Sequence, residues 1–177
     1  MAGLTPRGKA LRWLSSHRGI TEQPAGSNRD SRADGITAAQ KRLGAWLVGL
    51  PWCGVWAGNA LLAAGVKGVT YRLASVAYIE DDARAGRAPF AAWVAPGGYK
   101  QILRGDLVVL FGRGVHVETV RSFRKINGVV YCVTDGGNTS SGDGGSQSNG
   151  GGSYKRVRPL SQVHGFARVD YGKPGPG

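Results

Sequence analysis

The chain has little from which a metal centre or a disulfide framework could be built. Its 177 residues include two cysteines, Cys53 and Cys132, and three histidines, His17, His116 and His164. Neither the paired cysteine spacing nor the clustered histidines of a zinc site are present, so no metal and no cofactor are expected. Long apolar runs are missing too: nothing approaches the roughly 18 residues of a membrane span. The opening MAGLTPRGKALRWLSSHRG has no uninterrupted apolar stretch of the signal-peptide kind, so work outside the cytoplasm would need another exit route. Without a secretory route, a bridge between the two cysteines is not expected. Acidic residues are scarce, 11 against 23 lysines and arginines, which leaves a net charge of +12. That charge serves solubility or a polyanionic partner. The basic residues are spread along the chain, which argues against a groove-reading nucleic-acid element and for a diffuse field. Anionic bacterial wall polymers fit such a field. No internal repeat is visible.

What the chain does have is an ordinary apolar fraction, 41%, and 30 glycines. The length fits one domain whose core stands without staples. A monomer is expected, since nothing points to a stable oligomer. Helical patterns fill the first part. Thr5-Pro6 reads as an N-cap with proline at the first helical position, and Ala10, Leu11 and Leu14 make one face. Residues 19–35 are polar and turn-rich. Thr37 to Gln40 has the form of a capping box, opening a helix with Leu43, Trp46, Leu47 and Leu50 inward. A third helix is expected from about Trp52 to Ala64, stopped by Gly65, and a fourth over 73–88. From residue 105 the period changes to two: GDLVVLF, VHVETVRSF, GVVYCVTD, SYKRVRPL and VHGFARVDY read as strands, with Asn127-Gly128 as a hairpin turn. Helices first and an antiparallel sheet second make an α+β fold. Residues 1–171 form the expected domain, and 172–177 begin a linker or tail. The glycine-rich segment 136–153 reads either as a flexible connection or as a substrate-binding loop whose amides approach a ligand.

The chemistry gathers at GLPWCGVWAGNALLAAG, residues 49–65. Free cysteine is usually a small buried hydrophobe. In the first turn of a helix, however, the dipole and unpaired N–H groups favour a thiolate and can hold an oxyanion. Such a nucleophile needs a base. His17 reads as solvated and His164 as structural, whereas His116 interrupts a branched strand and shares one face with Glu118 and Val120. A helix-start cysteine with a histidine on the following sheet is the arrangement of papain-like enzymes.

Five stretches occur in order: TEQPAGSNRD, GLPWCGVWAGNALLAAG, RGDLVVLFGRGVHVETV, GGNTSSGDGGSQSNGGGSYKRVR and HGFARVDY. Together they resemble the cysteine, histidine-dependent amidohydrolase/peptidase (CHAP) domains of bacteriophage lysins, especially those of actinobacterial phages. The likeness spans roughly residues 8–171. It implies a papain-like fold, N-terminal helices on a C-terminal antiparallel sheet, and hydrolysis of a peptidoglycan amide. By matching position, Cys53 is the nucleophile and His116 the general base. The family often has an acid two residues before an asparagine in the strand after the histidine strand. Here Asn138 matches the asparagine, Gly136 holds the acid's place, and Asp135 lies one residue earlier. Asn138 is ranked first for orienting the ring and Asp135 second, with a simple hairpin placing Asp135 opposite Val120. Glu118 is third, because about 7 Å along one strand separates it from His116. The aspartates near the N-terminus, Asp30 and Asp34, are too sparse for the calcium pattern of some relatives. Trp52 and Trp56 flank the nucleophile as candidate substrate contacts beside Glu118, with core packing the stronger reading for Trp56.

The resemblance implies acyl transfer, with an oxyanion held by amides of the Cys53 helix and a side chain from the preceding polar segment. The bond cut is a peptide bond of the cross-link or the muramoyl–L-alanine amide. The protein would be made in the host cytoplasm and reach the wall after holin-type release. A virion-associated wall hydrolase and a non-enzymatic basic binding protein are the alternative readings.

Overall fold

In the computed structural model, residues 3–142 and 145–172 are described; the stretch from 173 on, read as linker or tail, lies outside them. Four helices come first: α1 (Pro6–Ser16), α2 (Ile36–Leu43), α3 (Cys53–Ala63) and α4 (Val76–Arg84). Six strands follow: β1 (Phe90–Val94), β2 (Leu107–Leu110), β3 (His116–Ile126), β4 (Val129–Thr139), β5 (Gly152–Pro159) and β6 (Val163–Val169). They form one sheet in the order β1-β6-β2-β3-β4-β5, antiparallel throughout. The fold is α+β. No described helix is long and apolar enough to cross a membrane.

α1 begins as its sequence indicates. Thr5 Oγ1 accepts from the Gly8 amide at 3.2 Å, Pro6 takes the first helical position, and Ala10, Leu11 and Leu14 turn inward. α2 departs from expectation. Gly35 is its N-cap, and Thr37 makes no capping box; its hydroxyl donates to the Asp30 carbonyl at 2.8 Å and accepts from the Asp30 amide at 3.1 Å. The helix stops at Leu43, and a 3₁₀ turn, Ala45–Leu47, follows. That tighter winding breaks the 3.6-residue stripe, so Leu47 is buried while Trp46 and Leu50 face outward. α3 is buried from Cys53 to Leu61 and apolar but for Asn59, whose side-chain amide donates to the Ala39 and Val55 carbonyls. A Cβ on Gly54 would stand 1.9 Å from the Leu73 carbonyl oxygen, so only glycine lets the helix start meet the 3₁₀ turn Tyr71–Ala74 backbone to backbone. That turn also takes the first residues of the fourth predicted helix, and α4 proper starts at Val76.

Five strands fall where the period-two patterns lie. β1 has no such signal; it is a short edge strand paired with β6. Asn127 and Gly128, both at positive φ, close the β3–β4 hairpin. The register then shifts at a bulge, because Val120 pairs with Thr134 but Ser122 with Val133. Asp135 therefore faces Thr119 rather than Val120, and one residue of slip carries it to the opposite face. The two faces bury separate cores. Leu107, Val109 and Val117 pack with α1 and α3, while Val108, Leu110, Val120, Cys132 and Phe166 form the second cluster. His116 pairs with Leu110 and Glu118 with Val108, so both belong to the second face. The glycine-rich segment contracts, since β4 continues to Thr139 and β5 starts at Gly152. Part of the polar 19–35 segment lies along β5: Thr21 bridges Gly152, and the Ser153 amide donates to Ile20 at 2.9 Å.

Candidate active site

Cys53 is the first residue of α3, and Trp52 before it supplies no capping side chain. The N–H groups of the first turn have no partners inside the helix and carry the positive end of its dipole. His116 opens β3, so its ring stands at the end of the sheet where that helix starts. The amides of Val117 and Gly54 favour negative charge on the Cys53 sulfur. Cys53 as a residue is 5% exposed.

The imidazole is held from both sides. Its Nε2 lies 3.2 Å from Glu118 Oε1. Among the described residues its Nδ1 has no hydrogen-bond partner, and Cys53 is the neighbour that acts on the ring beside Glu118. Glu118 is itself clamped. Arg158 on β5 donates through Nε to both carboxylate oxygens at 3.2 Å and through Nη2 to Oε1, and the Thr134 hydroxyl donates to Oε2. Arg158 reaches further, to Thr139 Oγ1 at 3.0 Å and Gln147 Oε1 at 2.7 Å. Gln147 also accepts from Arg156 at 2.9 Å, and its backbone carbonyl accepts from Thr139. One hydrogen-bonded chain thus runs from the histidine to the glycine-rich connection.

Charge balance decides the protonation states. Burial disfavours a thiolate at Cys53, but the His116 ring and the two amides outweigh it and lower the thiol pKa. Burial likewise disfavours the imidazolium; contact with Cys53 and Glu118 overcomes it and raises His116 from 6.5 to about 9. At Glu118, burial is outweighed by His116 and Arg158, which bring the carboxyl down to about 2. The three groups act as one unit in which each favours the charged form of its neighbour, the thiolate beside the imidazolium and the imidazolium beside the carboxylate. Cys132 is the opposite case. Burial, reinforced by the Glu118 charge, pushes its thiol up, so it stays protonated and packs as a hydrophobe.

Of the expected site residues, the structure brings together Cys53, His116 and Glu118, and leaves out Asn138 and Asp135. Asp135, turned to the helix face by the bulge, pairs with Arg18 at 2.7 Å and with Arg121. Asn138 sits at φ 57 where the β4–β5 register breaks, and its side-chain amide donates to Asn149 at 3.0 Å. It serves the chain turn, a conformation asparagine tolerates better than most residues. The ranking of the orienting group is therefore reversed. Backbone spacing along β3 misleads here because two side chains on one strand face can lean together across it. Gly136 completes the explanation: a Cβ there would come within 2.7 Å of Glu118 Cγ and 2.9 Å of its carboxylate. The place that a side chain from β4 would fill is occupied by the carboxylate from β3.

Trp52 and Trp56, the candidate substrate contacts, lie in the core. Both are buried, packed ring to ring at 5.0 Å, with Gly137 against them. Trp52 Nε1 donates to Glu22 Oε1 at 2.9 Å. Glu22 thus ties the polar segment to the residue that precedes α3. Beside it a cleft of about 430 Å³ opens between Thr21–Gly26 and the glycine-rich connection, including Ser140, Ser146 and Asn149. Asp30 and Asp34 are engaged elsewhere, with the Thr37 amide and with His17 and Arg42. Arg158 and Thr134 were not anticipated. A signal existed in YKRVRPL, where arginines alternate into one face of a strand and demand a buried acid.

No family model matches the chain, and neither a curated protein nor a solved structure matches it.

Proposed function

We propose that the protein is a cysteine-dependent peptidoglycan amide hydrolase of papain-like architecture, a phage endolysin of the CHAP kind its motifs resemble, acting at the bacterial wall. The observation that carries this reading is the buried Cys53–His116–Glu118 row at the uncapped start of a buried helix. A structural cysteine has no use for a histidine whose other nitrogen is held by a clamped carboxylate.

In the proposed reaction the Cys53 thiolate attacks an amide carbonyl of the wall. Amides of the first turn of α3 take the oxyanion. His116, protonated and fixed by Glu118, gives its proton to the leaving amine and then activates water to release the thioester. The net charge of +12 draws the protein to anionic wall polymers.

Purified walls treated with wild-type protein and with Cys53→Ala test the reading, with turbidity and mass spectrometry of released fragments as readouts. The variant is expected to fold with an unchanged thermal midpoint and to release nothing. Wild-type release by Cys53→Ala overturns the proposal.

A further inference from the structure

Acids are scarce in this chain, and each described one except Glu22, Asp30 and Asp170 forms an ion pair with an arginine. Asp170 is exposed. Asp30 Oδ1 accepts from the Thr37 amide at 3.1 Å, in the first turn of α2, where the helix dipole favours negative charge. Glu22 has neither remedy. It is 7% exposed, yet among the described residues it meets no cation. The Trp52 indole donates to its Oε1, and no described group donates to its Oε2. A carboxylate buried this far is costly to keep ionised unless a positive group reaches it. In a chain of net charge +12, none of the described lysines or arginines does.

Glu22 lines the cleft of about 430 Å³ between the polar segment and the glycine-rich connection, and among the described lining residues it alone is charged. Thr21, Ser140, Ser146 and Asn149 supply hydroxyls and a carboxamide around it. Gly151, at φ 74, leaves the carboxylate uncovered; a Cβ there would stand 3.5 Å from Glu22 Cδ and 3.6 Å from Oε2. The cation this arrangement suits is a primary ammonium. A guanidinium prefers both oxygens of a carboxylate, and here the indole of Trp52 holds one. Calcium needs several oxygen ligands, carboxylates among them, and no three acids, histidines or cysteines cluster among the described residues. An ammonium is a compact charge with three donors, which one free carboxylate oxygen and nearby hydroxyls satisfy.

Both walls of the cleft are tied to the Cys53–His116–Glu118 row. Trp52, the hydrogen-bond partner of Glu22, immediately precedes Cys53. Gln147, between Ser146 and Asn149 in the chain, accepts from Arg158, which clamps Glu118. Resting on the hydrolase reading above, we infer that this cleft is a subsite for a free primary ammonium group on the peptide part of the substrate, with Glu22 as its counter-charge.

The indole N–H of Trp52 reports on the site, because its acceptor is Glu22. In NMR spectra of isotopically labelled Cys53→Ala, Nα-acetyl-lysine amide should shift that resonance saturably. The form acetylated on Nε as well, which has no charge, should bind roughly tenfold more weakly or not at all. Nα-acetyl-arginine amide and calcium should not compete, and adding Glu22→Gln should abolish the shift. No saturable shift, equal binding of the two lysine forms, or competition by arginine or calcium overturns the ammonium site. If the glutamine variant does not fold, the contrast between the two lysine forms decides alone. Purified walls then test the place of the site in the reaction. Acetylating their free amines should slow release by the wild type roughly tenfold and leave Glu22→Gln, already slow, unchanged. No slowing of the wild type, or equal slowing of both proteins, overturns the substrate assignment while dependence on Cys53 keeps the hydrolase reading. Wall release that persists in Cys53→Ala removes that reading itself.

Discussion

Glu118→Gln is the sharpest single perturbation of the Cys53–His116–Glu118 row proposed to be catalytic. It keeps the shape and one acceptor oxygen of the residue that faces His116 Nε2 at 3.2 Å and removes only the charge. A hydrogen bond to a charged group contributes about 1–2 kcal/mol more than a neutral one. If that difference is expressed in the transition state, kcat/KM falls roughly 5- to 30-fold. The pH profile carries more information than the size of the loss. His116 is raised from 6.5 to about 9 by Cys53 and Glu118 against the opposing effect of burial. Activity requiring the imidazolium should persist up to about pH 9 in the wild type and decline above it. Without the Glu118 charge the alkaline limb should move toward 6.5, the unperturbed value. Stability responds separately. The glutamine leaves the buried Arg158 guanidinium without its counter-charge, a change that costs about 3–5 kcal/mol when a buried pair is broken. The remaining bonds of Arg158 to Gln147 and Thr139 place the expected loss near the lower end. Initial rates of wall clearing against pH at fixed ionic strength, with urea unfolding in parallel, read both effects. An unmoved alkaline limb in Glu118→Gln, or an equal downward shift in Asn138→Ala, would refute the assignment of Glu118 as the orienting group.

The remaining expectations follow from the same geometry. Gly136→Ala puts a methyl within 2.7 Å of Glu118 Cγ, so it should lower activity as much as Glu118→Gln yet add nothing in a Glu118→Ala background; additive losses in the double-mutant cycle would contradict this. Unfolding free energy should show the linkage of both ionised partners. The His116 contribution is full below its unperturbed 6.5 and lost as pH rises through about 9. The Glu118 contribution is full above 4.5 and lost as pH falls toward about 2. A pH series of urea melts checks these windows. Lysis should weaken steeply as salt rises, because a net charge of +12 acts on the wall through a screened field; salt-independent clearing would remove wall charge from the explanation.

Much of this was legible in the chain. Capping at Thr5-Pro6, the largely apolar run from Cys53, the alternation from residue 105 and the Asn127-Gly128 turn are local signals, and the elements they mark are present. The candidate nucleophile and base could be chosen because a helix start and a strand face are local properties too. Signals that depended on continuity failed. One 3₁₀ turn after Gly44 turned Trp46 and Leu50 from predicted core residues into the wall of a surface pocket. One bulge at Arg121 sent Asp135 to the wrong face for the histidine. Which group orients His116 depended on β3, β4 and β5 at once: an acid from the first, an empty side-chain position at Gly136 in the second, and Arg158 from the third. Sequence alone determined most of the elements and the candidate pair Cys53 and His116, because periodicity and helix position are written in neighbouring residues. The third partner was decided only by tertiary structure, because a buried carboxylate stays charged where strands distant in sequence bring it a counter-charge and leave it room.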